Sequence, residues 1–229
     1  MKLIILSAGK GLRFLPITNT IPKGMVSILN EPLLKHVIEP YLKNVTDIIF
    51  VVNDGLGIKI KDYFGEEYFG HKVFYKIQKE QKGTMDALLT CRDLIEGDEL
   101  FCVSNADDLL KEIDIENAIL QNSIGAGISK KIMPKNYLGV EVENDLVKGF
   151  IRHEDNIEKI KDNYCNGFFI LNRKVFDFEP VATRDGELGL PHTLFANLSV
   201  YPLKMFTFDS WETVNRPEDI ANAENFLKN

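Results

Sequence analysis

Short, nearly unbroken apolar runs alternate with helical stripes through the first half of this sequence, and that alternation limits the possible folds more than any other feature. Leu3 to Leu6 reads as a buried strand. Within residues 32 to 44, Leu34, Val37, Ile38, Tyr41 and Leu42 recur at the spacing of one helical face, and Pro32 suits that helix's first turn. Ile48 to Val52 reads as a second buried strand, ended by Asn53-Asp54-Gly55. Val73, Tyr75 and Ile77 alternate in a third, Leu88, Cys91 and Ile95 stripe a helix, and Leu100 to Val103 make a fourth strand. Apolar strands separated by helices imply a parallel sheet covered on both faces.

The pattern changes after about residue 123. Ile124 to Ser129, Tyr137 to Glu143, Leu146 to Ile151 and Gly167 to Leu171 are strands joined by short polar connections, with Asn144-Asp145 placed as a hairpin turn. No internal repeat and no long Pro/Gly/Ser linker divides the sequence, so residues 1–229 are expected to form one domain whose second half extends the same sheet.

Composition removes several classes of function. Lys and Arg total 27 against 34 Asp and Glu, a formal charge of -7, which speaks against a broad nucleic-acid surface or an acidic-membrane surface. Cys91, Cys102 and Cys165 have neither zinc-ligand nor disulfide spacing and are expected to be reduced, largely buried thiols. No run approaches the ~20 apolar residues of a membrane helix, and Leu3 to Leu6 is too short for a signal-peptide core. A soluble cytoplasmic protein is the expectation.

Chemistry is expected where polar residues follow the strands, since ligands of open α/β sheets sit beyond the strands' carboxyl ends. Ser7-Ala8-Gly9-Lys10-Gly11-Leu12-Arg13 follows the first strand and runs irregularly to Pro22-Lys23. Glycines there let backbone N–H groups approach phosphate oxygens, and Arg13 and Lys23 add positive charge. Phe14 stands where a dinucleotide fingerprint needs its third glycine, and the Gly-Lys-Ser/Thr of a Walker A loop is missing. An ordinary strand-to-loop turn accounts for Gly9 and Gly11 but not for so long an aperiodic stretch. After the fourth strand come Asn105-Ala106-Asp107-Asp108; adjacent carboxylates there are costly unless a cation or hydrogen-bond donors receive them, although Asp108 also suits a helix N-cap.

Leu6-Ser7-Ala8-Gly9-Lys10-Gly11-Leu12-Arg13, with Pro16, Thr18 and Pro22-Lys23, resembles the signature loop of the sugar-phosphate nucleotidyltransferases. Ser7 and Leu12 replace an alanine and a threonine of the family pattern, and Gly24 a frequent proline. Gln78-Lys79-Glu80-Gln81-Lys82-Gly83-Thr84 is similar to the family's base-reading segment, in the form typical of N-acetylglucosamine-1-phosphate uridylyltransferases. The resemblance implies an α/β, Rossmann-like fold with a mixed, mainly parallel sheet, residues 1–122 binding nucleotide and 123–229 binding sugar phosphate. It implies transfer of a nucleotidyl group from UTP or dTTP to a sugar 1-phosphate, with pyrophosphate released. Leu6, Ala8, Gly9, Gly11 and Arg13 would hold the triphosphate, Gln78 and Gly83 the base, with Thr84 opening the helix behind. Lys23 would act at the transferred phosphoryl group, and Asp107, joined by Asp108, would hold Mg²⁺.

For the sugar the resemblance implies Gly139, Glu154, Asn166 and Gly167, with Asn166 displaced by one position from the family's asparagine. Trp211 to Asp219 resembles the family's closing motif, but the aspartate that would be the second metal ligand aligns with Thr213. No hexapeptide repeats of the bifunctional relatives occur. A cytidylyltransferase acting on a non-sugar phosphomonoester such as phosphocholine, and a nucleotide-binding paralogue with little turnover, stay open; a nicotinamide-dependent dehydrogenase is disfavoured by Phe14.

Overall fold

Each of the four apolar runs of the first half forms a strand. In the computed structural model, which describes residues 1–134, 139–151 and 159–228, β1 (Lys2–Leu6) leads through a long loop to the short strands β2 (Ser27–Ile28) and β3 (Glu31–Pro32) and to α1 (Leu33–Ile38). There follow β4 (Asp47–Asn53), α2 (Ile58–Phe64), β5 (Glu67–Tyr68), β6 (His71–Gln78), α3 (Thr84–Leu89), β7 (Phe101–Asn105), β8 (Asp108–Leu110) and α4 (Glu112–Leu120). The second half supplies β9 (Gly125–Pro134), β10 (Gly139–Glu143), β11 (Leu146–Ile151), β12 (Lys159–Leu171), α5 (Leu190–Ala196), β13 (Lys204–Thr207), β14 (Trp211–Thr213) and α6 (Ile220–Lys228).

One ten-stranded mixed sheet, in the order β10-β11-β13-β9-β12-β7-β1-β4-β6-β5, runs through both halves. The first-half strands β7, β1, β4 and β6 are parallel, whereas β12 joins β7 and β9 antiparallel. The central strands are apolar on both faces because both are covered. Leu3, Ile5, Ile48 and Phe50 pack with residues of α1, α2, α4 and α6; Ile4, Ile49, Val51 and Val103 pack with α3 and α5. The ordered helices are shorter than the stripes suggest. The first gives way after Ile38 to a 3-10 turn over Glu39–Tyr41, because Pro40 has no N–H to continue the ladder. Asn144 and Asp145, at φ 52° and 58°, turn β10 into β11 in the manner of a type I′ hairpin, whose twist matches that of the strands.

The order of β7, β1 and β4 positions the site. From β1 the chain moves to β4 and β6 on one side, then returns to β7 on the other. Such a reversal opens a crevice beyond the carboxyl ends, here at Leu6 and Asn105, which face one another in the register.

Candidate active site

A cleft of about 530 Å³ lies at that crevice. Leu6, Ala8, Gly9, Gly11, Arg13, Lys23, Gln78, Gly83, Thr84 and Asp107, each singled out from the sequence, all line it. Gln81, Asn105, Glu187 and Asn215 line it too, without having been singled out for these roles.

The loop after β1 is fixed at its base and folded back on itself. Both the backbone N–H and the hydroxyl of Ser7 donate to the Val51 carbonyl, at 2.9 and 2.7 Å, tying the loop to β4. Gly11 is left-handed (φ 63°), and its carbonyl accepts from the Phe14 N–H at 2.8 Å and from the Thr18 hydroxyl at 2.9 Å. A Cβ at Gly11 would lie 2.9 Å from the Thr18 methyl, whereas one at Gly9 would meet nothing within 4 Å. Gly11 therefore shapes the loop, and Gly9 leaves room beside the backbone for a ligand. The stretch that lacked a period in the sequence is a succession of single 3-10 turns over Leu12–Phe14, Ile17–Asn19 and Lys23–Met25.

The Gln78-to-Thr84 segment closes another side. Gln78 is buried at the end of β6; its Nε2 donates to the Gly83 carbonyl at 3.0 Å and to Asp86 Oδ2 at 2.7 Å. Thr84 opens α3, as expected, and its Oγ1 accepts from the Leu190 N–H at 2.8 Å. Gly83, at φ 117°, lies flat on Leu188: an added Cβ would come within 2.5–2.9 Å of three Leu188 backbone atoms. Gly83→Ala combines backbone strain with a collision that no side-chain movement relieves, so a loss of about 2–4 kcal/mol in stability is expected. Urea unfolding measures it, and triphosphate affinity should fall with it; an unchanged midpoint would refute this role for Gly83.

The two adjacent aspartates have different surroundings. Asp107 faces the cleft, and its Oδ2 accepts from Lys23 Nζ at 2.5 Å. Asp108 begins β8 and so does not cap a helix; α4 starts later, at Glu112. Asp108 is buried, its Oδ2 accepting from Asn105 Nδ2 and its Oδ1 from Trp211 Nε1, both at 2.8 Å. Burial, with the Asp107 charge next to it, pushes its carboxyl up to about 7 against the opposing bonds from Asn105, Trp211 and Thr213. Thr213 pairs with Asp108 across the β8–β14 ladder, while Asn215, two residues on, reaches the cleft beside Asp107. Glu212 turns to the other side of β14, where it pairs with Lys131 at 2.8 Å.

A second cleft, of about 320 Å³, shares Arg13, Asn105, Asp107 and Asn215 with the first and adds Asp108, Cys165, Trp211 and Thr213. Of the residues that the resemblance implied for a sugar, Glu154 lies outside the described residues. Gly139 pairs with Tyr164 at the start of β10 and lines neither cleft. Asn166 is fully buried, its amide donating to the Ser129 hydroxyl at 3.2 Å and its oxygen accepting from the Phe168 N–H at 3.2 Å. Gly167, at φ 80°, presses its backbone on the Asn105–Asp108 pair; a Cβ there would lie 2.3 Å from atoms of both side chains.

Among the described residues no group of three or more His, Cys, Asp and Glu side chains is placed to hold a metal, and no helix is long and apolar enough to cross a membrane. Two carboxylates line the first cleft, Asp107 and the exposed Glu187; of the two, Asp107 also lines the second cleft, together with Asn215. That hard-oxygen donor set fits a Mg²⁺ whose shell is completed by phosphates and water, and does not form an all-protein cage.

A family model described as nucleotidyl transferase matches residues 2–227. The bifunctional protein GlmU of Methanococcus vannielii is 31% identical over 100% of this chain, which spans 56% of that protein's length. The mannose-1-phosphate guanyltransferase of Schizosaccharomyces pombe is 29% identical over 96% of the chain and 62% of its own. Among solved structures, the inositol-1-phosphate CTP transferase from T. maritima superposes with a TM-score of 0.84 at 20% identity, covering 99% of this chain and 94% of that one. A UDP-glucose pyrophosphorylase complexed with UDP-glucose gives 0.82 at 22% identity, covering 99% and 98%. At those identities the two structures establish the shared fold.

Proposed function

The chain belongs to the nucleotidyl transferase family, and from that premise we propose that it joins UTP or dTTP to a sugar 1-phosphate, releasing pyrophosphate. The observation that carries this is the convergence, in one cleft at the switch point of the sheet, of the glycine loop, Lys23, the Gln78-to-Thr84 segment and Asp107. Residues 1–122 would form the nucleotide half of the domain and 123–229 the sugar-phosphate half. The second cleft, which shares Arg13 and Asp107 with the first, is suited to the incoming phosphate.

A phosphate oxygen of the sugar 1-phosphate attacks the α-phosphorus in line, and the bond to the leaving pyrophosphate breaks. No enzyme nucleophile is required, so this chain contributes position and charge. Backbone N–H groups from Ala8 to Gly11 and the Arg13 guanidinium hold the β- and γ-phosphates; Lys23, deeper in the cleft, meets the α-phosphoryl oxygens. Asp107 and the Asn215 side-chain oxygen would hold Mg²⁺, which when bound neutralises phosphate charge and eases departure of pyrophosphate. Asp108 is less suited to that task, being buried and already accepting a bond on each oxygen, from Asn105 and from Trp211. Its bonds, with the backbone of Gly167 behind them, set the floor on which Asp107 stands.

Saturation binding with each triphosphate tests the nucleotide. UTP or dTTP should bind more tightly than the purine triphosphates. ATP or GTP binding tenfold tighter, about 1.4 kcal/mol, would overturn that choice.

A further inference from the structure

Gln78 and Asp86 are joined in a way the sequence did not announce. A glutamine side chain is almost symmetric in shape, so its partners decide which end is nitrogen and which is oxygen. Here both partners on one side are pure acceptors: the Gly83 carbonyl at 3.0 Å and Asp86 Oδ2 at 2.7 Å. Turned over, the amide would place its oxygen against two other oxygens, one of them charged, inside a pocket where only 4% of the Gln78 surface reaches water.

The backbone that carries each partner is anchored. Gly83 is pinned on the Leu188 backbone, and Asp86 belongs to the first turn of α3, where the N–H of the preceding Met85 donates to the Leu188 carbonyl at 2.8 Å. With both Nε2 protons engaged, Gln78 can offer the cleft only its carbonyl oxygen, an acceptor.

We propose that Asp86 is a specificity-determining positioning residue. It holds the Gln78 amide with the carbonyl oxygen toward the base, so that the cleft selects a base with a ring N–H and rejects one with a ring lone pair. Uracil and thymine present such an N–H at N3, as guanine does at N1; cytosine presents a lone pair at N3 and adenine one at N1. This amide thus separates uracil and thymine from cytosine and adenine but does not by itself exclude guanine. The selection arises from the direction of one amide, and Asp86, which need not touch the nucleotide, sets that direction. The inference rests on the nucleotidyltransferase reading of the cleft and adds to it how the base is chosen.

The test is the UTP-to-CTP ratio of kcat/KM, with dissociation constants measured in parallel, for wild type, Asp86→Ala and Asp86→Asn. Asp86→Ala removes the carboxylate, which makes the shorter of the two bonds that hold the amide, so the turned orientation costs less and the ratio should fall by about tenfold, with CTP gaining in absolute terms. Asp86→Asn keeps size and packing but can pair with either orientation of Gln78, so it should fall between the two. It also guards against misfolding of the alanine variant. A side chain that serves only the stability of α3 would weaken all triphosphates equally, and an unchanged ratio in both variants would overturn the inference while leaving the family function intact. Wild type that prefers CTP would overturn it as well. Wild type that binds no triphosphate would overturn the reading beneath it and the inference together.

Discussion

Asp107→Asn is expected to lower turnover by roughly 10³-fold or more while leaving the fold in place. The main chain at Asp107 is anchored independently of its side chain, because its carbonyl accepts from the Val214 N–H at 2.9 Å. Asparagine has nearly the same volume and can still accept a bond from Lys23, so what is removed is one negative charge at the point where the proposed cation would meet the triphosphate. The neighbouring carboxylate is poorly placed to take over: Asp108 is buried, and each of its oxygens already accepts a bond, from Asn105 and from Trp211. Loss of the charged pair should cost about 1–2 kcal/mol in stability, which a melting curve separates from the loss of activity. Glu212→Gln is the control, since Glu212 pairs with Lys131 on the other side of β14 and should affect turnover little. Turnover near wild type in Asp107→Asn would remove this residue from the chemistry.

Lys23→Ala should lower kcat by about 10²-fold with a modest effect on triphosphate KM, whereas Arg13→Ala should mainly raise that KM. The difference follows from how each cation is held. The Lys23 side chain is only 17% exposed, with its ammonium paired to Asp107 and lying 5.7 Å from the centre of the Phe14 ring. Charge fixed in that manner needs little reorganisation when negative charge shifts toward the pyrophosphate. Arg13 is exposed, sits in the 3-10 turn that follows Gly11, and reaches the rim of both clefts. A group that grips phosphates equally before and during transfer contributes to affinity alone. Steady-state kinetics with each substrate varied in turn decide the matter. Equal rises in KM with kcat untouched in both variants would place Lys23 on the outer phosphates instead.

The cleft residues of the first half were legible because they sit at strand ends, where apolar runs stop and polar ones begin. Leu3 to Leu6, Ile48 to Val52 and Leu100 to Val103 became adjacent parallel strands, so Ser7, Gln78 and Asn105 arrive on one edge of the sheet. The second half was less legible, since strand parity cannot be counted through a bulge. The register of β12 against β9 shifts between Cys165 and Phe169, which turns Asn166 inward to Ser129 and brings Gly167 against Asn105 and Asp108. Asn215 carries no motif signal of its own; the two-residue period of an extended segment links it to Thr213, the position of an expected carboxylate. The Asp86 contact spans eight positions and the end of a strand, and no local pattern announces it.

Pyrophosphate release, followed across a panel of triphosphates and sugar 1-phosphates with Mg²⁺ present, tests the central claim most directly. Release is expected only when both substrates are supplied, with UTP or dTTP the preferred triphosphate, and in equal amount to the nucleotide sugar formed. Pyrophosphate that appears with a triphosphate alone at the same rate, or no release with any pairing, would contradict the account.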